Sequence, residues 1–140
     1  MFDQNHFVIN AAHGLIKKGD KYLVTLRAKD KNYMPNIWDI PGGTIEFGEK
    51  SFDALNREIK EETNLNVKVG KFLYCYDYVS ETTSSRHQFQ MVFECEYLSG
   101  DVTLNPREHQ DFRWVTLKEM ESLPKITFLE ELFKYLQKNS

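Results

Sequence analysis

The hydrophobic positions change period several times along the chain, and each change predicts an element. Residues 7–16, from Phe7-Val8-Ile9 to Leu15-Ile16, and residues 22–26, Tyr22-Leu23-Val24-Thr25-Leu26, are β-rich and flank the turn chemistry of Lys18-Gly19-Asp20. This predicts a hairpin. A polar stretch, 28–36, leads to the short apolar run Ile37-Trp38-Asp39-Ile40, after which Pro41-Gly42-Gly43 reads as a turn. From 51 to 63 the spacing becomes three and four, with Phe52, Leu55 and Ile59 on one stripe, which predicts an amphipathic helix with Ser51 or Glu49 serving its start. Residues 67–79 and 88–97 are long strand-like runs separated by the polar loop 80–87, and 112–115 is a short strand. Thr116-Leu117-Lys118-Glu119 is a capping box opening a short helix, and 128–136 forms a last amphipathic helix. Strands, a central helix, more strands and a terminal helix point to the α+β class with helices layered on a sheet.

Composition narrows the picture. With 140 residues, 41% apolar and 14% aromatic, and no repeat or low-complexity linker, the chain is expected to be a single domain over 1–140. The net charge is only −3, from 18 basic and 21 acidic residues that are interspersed. No basic stripe suited to a nucleic acid polymer exists, whereas a free nucleotide remains open because a metal can supply the positive charge. No apolar run approaches the roughly 18 residues of a membrane span. The start, Met1-Phe2-Asp3-Gln4-Asn5-His6, lacks the basic and apolar regions of a signal peptide. Cys75 and Cys95, each inside a strand-like run, are expected to be reduced and buried, which fits a cytoplasmic protein, monomeric or homodimeric.

The chemistry concentrates in Arg57-Glu58-Ile59-Lys60-Glu61-Glu62. At about 100° per residue, Glu58, Glu61 and Glu62 share one arc, beside the apolar stripe. Glu58 and Glu62 repel at i,i+4, which costs an isolated helix about 0.2–0.5 kcal/mol. An acidic, solvent-facing helix with Lys50, Arg57 and Lys60 as partners is one reading. A hard divalent cation, which takes carboxylate and phosphate oxygens together, is the other. Glu49 lies upstream near the helix start, and Gly42-Gly43 lets the backbone pass close to a ligand.

The longer string Gly43-x5-Glu49-x7-Arg57-Glu58-Ile59-x-Glu61-Glu62-x-Asn64-Leu65 resembles the Nudix box over residues 43–65. One fixed position departs: Asn64 stands where the family has Gly. Asn is the next-best residue for the left-handed conformation that closes a helix. The resemblance implies an α/β/α sandwich with a mixed central sheet and the box helix packed on it. It implies hydrolysis of a nucleoside diphosphate linked to another group, dependent on Mg2+ with Mn2+ as a substitute. By motif position Glu58 and Glu62 are then the principal metal ligands, Glu61 assists directly or through water, the Gly42 carbonyl is a further ligand, and Gly43 lies against the substrate. Arg57 orients a glutamate, with Glu49 as its candidate partner. Glu108, in Asn105-Pro106-Arg107-Glu108-His109, resembles the glutamate several members bring to the metal as base or ligand; a solvated loop carboxylate is the alternative.

Weaker signals surround this cluster. Arg27, at the end of the second strand, is suited to a phosphate or to a surface role. His109 titrates near neutral pH and offers a proton shuttle, though a lone histidine is more often a surface residue. His13, His87, Tyr74, Tyr76 and Tyr78 are candidates to line a base pocket, against the commoner role of alternating tyrosines in sheet packing. No proline follows the box until Pro106, and Tyr78 comes too early for the dinucleoside polyphosphate hydrolases. Both favour a MutT-type nucleoside triphosphate substrate, cut to monophosphate and pyrophosphate. ADP-ribose or dinucleoside polyphosphates, and a non-catalytic nucleotide-sensing module, are the alternatives. Such modules usually lose box carboxylates, and all are present here.

Overall fold

The computed structural model describes residues 5–80 and 84–139. Seven strands, β1 (Phe7–Lys18), β2 (Lys21–Arg27), β3 (Trp38–Asp39), β4 (Gly42–Thr44), β5 (Asn66–Val79), β6 (Arg86–Ser99) and β7 (His109–Val115), form one mixed sheet. Three helices, α1 (Ser51–Thr63), α2 (Leu117–Glu121) and α3 (Thr127–Lys138), pack on it. The strand path is β3-β2-β1-β6-β5. β1 runs parallel to β6 along its length, while its other edge is shared by β2 at Lys17 and Lys18 and by β4 at Ala11, Ala12 and His13. The hairpin partners therefore splay apart after the turn, and the Pro41-Gly42-Gly43 segment inserts where β2 has left. The predicted turn is thus a strand pairing. Only glycine fits at 42, since a Cβ there would lie 2.2 Å from the Ala12 carbonyl oxygen.

The period-two alternation of β1, β2 and β6 divides the core between the two sheet faces. Ala12, Ile16, Leu23, Phe93 and Cys95 pack with Leu55, Ile59 and Leu65 on the α1 side. Leu15, Tyr22, Val24, Trp38 and Val92 pack with Met120, Leu129, Leu132 and Phe133 of α2 and α3 on the other. Leu55 and Ile59 are fully buried. At about 1.5–3 kcal/mol for each such side chain, they anchor α1 and fix which edge of it carries the carboxylates.

Several expectations are corrected. Lys50, not Ser51 or Glu49, occupies the α1 N-cap, and it makes no side-chain cap bond; Glu49 is held by Arg57 instead. Phe52 is 47% exposed and touches the core only edge-on, at 5.5 Å from Phe93, while Ala54 takes the buried position. Cys95 is buried but Cys75 is only half-buried, and neither is bridged. Asn64 does close α1 with φ 65°, and the Thr116–Glu119 capping box opens α2. Residues 81–83 of the predicted loop and residues 1–4 lie outside the described residues.

Candidate active site

Two segments meet beside α1, the β4 strand and the start of β7, and the 28–36 stretch is tied to the second of them. The Glu58 carboxylate lies under Gly43, where an added Cβ would sit 2.6 Å from its Cδ. One helical turn on, Oε2 of Glu62 accepts from the Gly42 N–H at 2.8 Å. Glycines at 42 and 43 therefore let the strand backbone press onto both carboxylates.

Arg57 organises the exposed half of the cluster. Its Nε and Nη2 donate to the two carboxylate oxygens of Glu49 at 2.7 and 2.9 Å, a bidentate pair. The same guanidinium donates to Glu58 at 3.0 Å, to Glu61 at 3.4 Å and to the Thr44 carbonyl at 3.3 Å. Hydrogen bonds from Arg57, and then the backbone at Glu46, draw Glu49 down to about 2. Glu58 shifts upward, because its burial outweighs the bond from Arg57.

Glu62 sits in a different environment. It is buried, and desolvation pushes its carboxyl up to about 9 despite the Gly42 N–H, with the negative charges of Asp39, Glu58 and Glu108 adding to the shift. The nearest basic group is His109, whose Nδ1 is 3.9 Å from Oε1. An excess of hard oxygen donors lacking a cation is what a divalent metal of the Mg2+ type complements. The donor set therefore fits such an ion. Among the described residues the carboxylates are not already drawn into a three-ligand cage, since Arg57 and Gly42 hold them.

His109 was expected at the surface and is instead buried. A β-bulge explains this. Leu26 pairs with Asp111 and Arg27 with His109, so Gln110 is unmatched, and the bulge re-aims the preceding side chain toward α1. Burial lowers its pKa, so the ring is held neutral. Glu108, just before it, is ion-paired with Lys31 and half-exposed.

The 28–36 stretch is tied to this turn. Ala28 N–H donates to the Glu108 carbonyl, and Gln110 donates to the Arg27 carbonyl and to Asn36. Arg27, the candidate phosphate contact, donates to Asp39 at 3.1 Å and to the carbonyls of Tyr33 and Met34. It thereby holds Met34 at φ 46°, a left-handed conformation costing about 1–2 kcal/mol. Nothing in the local sequence marks Asp39 as part of the site. It looks like a strand polar group, and only the β2–β3 pairing brings it between Arg27 and Glu62.

Arg27, Asp39 and His13 also line a cavity of about 730 Å³, with Tyr33, Tyr76 and Phe128 among its other walls. His13 donates through Nε2 to the Gln90 Oε1 at 2.6 Å, and its ring packs tilted against Phe128 with centroids 4.3 Å apart. Of the candidate pocket residues, His13, Tyr76 and Tyr78 line this space. Tyr74 packs on Tyr135, and His87 pairs with Asp77.

The sequence model of the NUDIX domain family matches residues 8–136. The nucleoside triphosphatase NudI of Enterobacter sp. (strain 638) is 30% identical over 117 residues, which are 78% of this chain and 82% of that protein. The NAD-capped RNA hydrolase NudC of Pseudomonas putida is 26% identical over 110 residues, 79% of this chain but 37% of that longer protein. The fold follows the MutT protein from Methanosarcina mazei Go1 with a TM-score of 0.83 over 98% of both chains, at 21% identity. The family match runs through both the box helix and the strands that position it, and the chain belongs to the NUDIX domain family as a pyrophosphohydrolase of phosphorus-containing acid anhydrides.

Proposed function

We propose that the protein hydrolyses nucleoside triphosphates to nucleoside monophosphate and pyrophosphate, with Mg2+ as cofactor and Mn2+ as a substitute. The observation that carries the reading is the meeting of Glu58 and Glu62 with the Gly42–Gly43 strand, which pairs with His13, one of the residues lining an aromatic-walled cavity of about 730 Å³. Such a volume suits a nucleoside, while the carboxylates suit the metal-bound phosphates. The similarity to the NudI nucleoside triphosphatases points the same way.

Glu58 and Glu62 hold the metal, with Glu61 assisting and the Gly42 carbonyl as a further ligand. A bound Mg2+ neutralises phosphate charge and makes a water acidic enough to act near neutral pH. Arg57 keeps Glu49, Glu58 and Glu61 in register. Gly43 leaves room for phosphate oxygens against the strand. Arg27 places positive charge at the cavity wall beside Asp39. Glu108, on the turn next to Glu62, is the carboxylate that takes the proton of the attacking water or adds a ligand. The whole of 1–140 acts as one cytoplasmic domain, monomeric or homodimeric, on a small molecule with no polymer or membrane partner. No helix among the described residues is long and apolar enough to cross a membrane.

A panel of ribo- and deoxyribonucleoside triphosphates with Mg2+, resolved by chromatography with phosphate and pyrophosphate assayed separately, tests this. Monophosphate and pyrophosphate are expected, and a chelator abolishes both. Orthophosphate as the sole released product overturns the cleavage position. Hydrolysis of ADP-ribose or dinucleoside polyphosphates with triphosphates untouched overturns the substrate class. Full activity in excess chelator overturns the metal.

A further inference from the structure

Glu62 carries two oxygens with unequal support. Oε2 accepts from the Gly42 N–H at 2.8 Å, whereas the nearest basic atom to Oε1 is the His109 Nδ1, 3.9 Å away. That nitrogen is itself buried and has no hydrogen-bond partner. A buried polar group left unmatched costs about 1–3 kcal/mol, so its place facing a carboxylate calls for an explanation. The separation exceeds the roughly 3.2 Å upper limit of a hydrogen bond by less than about 1 Å, a distance that small side-chain rotations cover. The bulge at Gln110 turns His109 toward α1, and backbone bonds fix it there: its N–H donates to the Asn105 carbonyl at 3.0 Å, and Gly42 on the opposite side fixes Glu62.

We propose that His109 is a positioning residue for Glu62: its Nδ1–H donates to Oε1 while the Gly42 N–H holds Oε2, so that the carboxylate plane is set from both sides. A neutral imidazole has one N–H, and the carboxylate selects the tautomer that places it on Nδ1. The lone pairs that remain on the two oxygens then point to a single place. This inference rests on the reading of Glu62 as a metal ligand. Partners of that kind typically change metal affinity about 10- to 100-fold when removed.

Asparagine places its amide nitrogen near the position of a histidine Nδ1, so His109→Asn keeps the donor and His109→Leu removes it. Mn2+ affinity, read by electron paramagnetic resonance on the full chain without substrate, is expected to fall at least about tenfold in His109→Leu and less than about threefold in His109→Asn. Circular dichroism melting of the metal-free proteins checks the fold. Wild-type affinity in His109→Leu, or equal losses in both variants, overturns the proposal. Nitrogen-15 spectra of the histidine rings in the wild-type protein loaded with Mg2+, where Glu62 is ionised, give an arm independent of folding variants. A proton on Nδ1 of His109 that shifts in Glu62→Gln is expected, and a proton resident on Nε2 overturns the bond. If wild type and Glu62→Gln bind Mn2+ equally, the ligand role of Glu62 fails, whereas the ring spectra still judge the His109–Glu62 bond.

Discussion

Glu49 and Glu62 flank one Arg57-centred cluster, yet the fold treats them in opposite ways. Glu49 meets the Arg57 guanidinium bidentately, partly buried at the surface, and is held near 2. Glu62 is buried with a backbone N–H and a neutral imidazole for company and rises to about 9. The first is a finished ion pair, complete within the chain. The second faces no cation of the chain's own among the described residues, and on the proposed reading it takes one from solution. The cluster of Glu49, Glu58, Glu61 and Glu62 therefore divides into a frame that Arg57 holds and a socket around Glu62, with Glu58 shared between the two.

The largest expected effect breaks the socket. Glu62→Gln and Glu58→Gln should lower kcat by on the order of 10²–10³ or more, because each removes a charged oxygen from a site whose main contribution is electrostatic. Glu62→Gln should at the same time leave the metal-free fold as stable as before, or more so, since it replaces a burdened buried acid by a neutral isostere. Wild-type turnover in both variants, with the fold confirmed by circular dichroism, refutes their roles. Arg57→Lys damages the frame instead: it keeps the charge but loses the fork that spans Glu49, Glu58 and Glu61, and activity should fall about 10- to 100-fold. A steady-state assay at saturating Mg2+ reads it, and an unchanged rate would mean the frame is dispensable.

The smallest effect sharpens the contrast through pH. Glu62 is raised from 4.5 to about 9, so its contribution to stability is complete below about pH 4.5 and is lost as pH rises toward 9. Glu49, lowered to about 2, contributes above 4.5 and loses that as pH falls. His109, depressed from 6.5, also loses its contribution as pH falls, which leaves roughly pH 7 to 9 as the window where Glu62 dominates. Metal-free protein should melt at progressively lower temperature across that window, and Glu62→Gln should flatten the slope. A flat wild-type profile would contradict the assignment.

Local features of the site were legible in the sequence. The helical period placed Glu58, Glu61 and Glu62 on one edge, the resemblance to the Nudix box offered Glu49 as the partner of Arg57, and Asn64 announced a left-handed helix end. What escaped was whatever depends on pairing between distant strands. Gly42-Gly43 reads as a turn until β1 is seen to part from β2 and leave an edge for β4. His109 reads as a surface residue because a strand starting at Phe112 hides the bulge that turns it inward. Arg27 reads as a free phosphate contact because nothing nearby in sequence announces Asp39 and the carbonyls of Tyr33 and Met34. The apolar stripe of α1 misled at Phe52, which stays half-exposed with only an edge-on contact to Phe93 while Ala54 takes the buried place.

The ties between the 28–36 stretch and the β7 turn have a mechanical corollary. Lys31 grips Glu108, Ala28 grips its carbonyl, and Gln110 reaches both Arg27 and Asn36. Asn32, Tyr33 and Met34 from the same stretch form a wall of the cavity. The wall and the turn are braced like two plates riveted along a seam, so a load on one is carried to the other. A guest that presses on Tyr33 tugs on the backbone that aims Glu108 and His109. On the proposed reading, recognition and chemistry then share a chassis: remodelling the wall to admit a bulkier guest is expected to retune the carboxylates behind it as well.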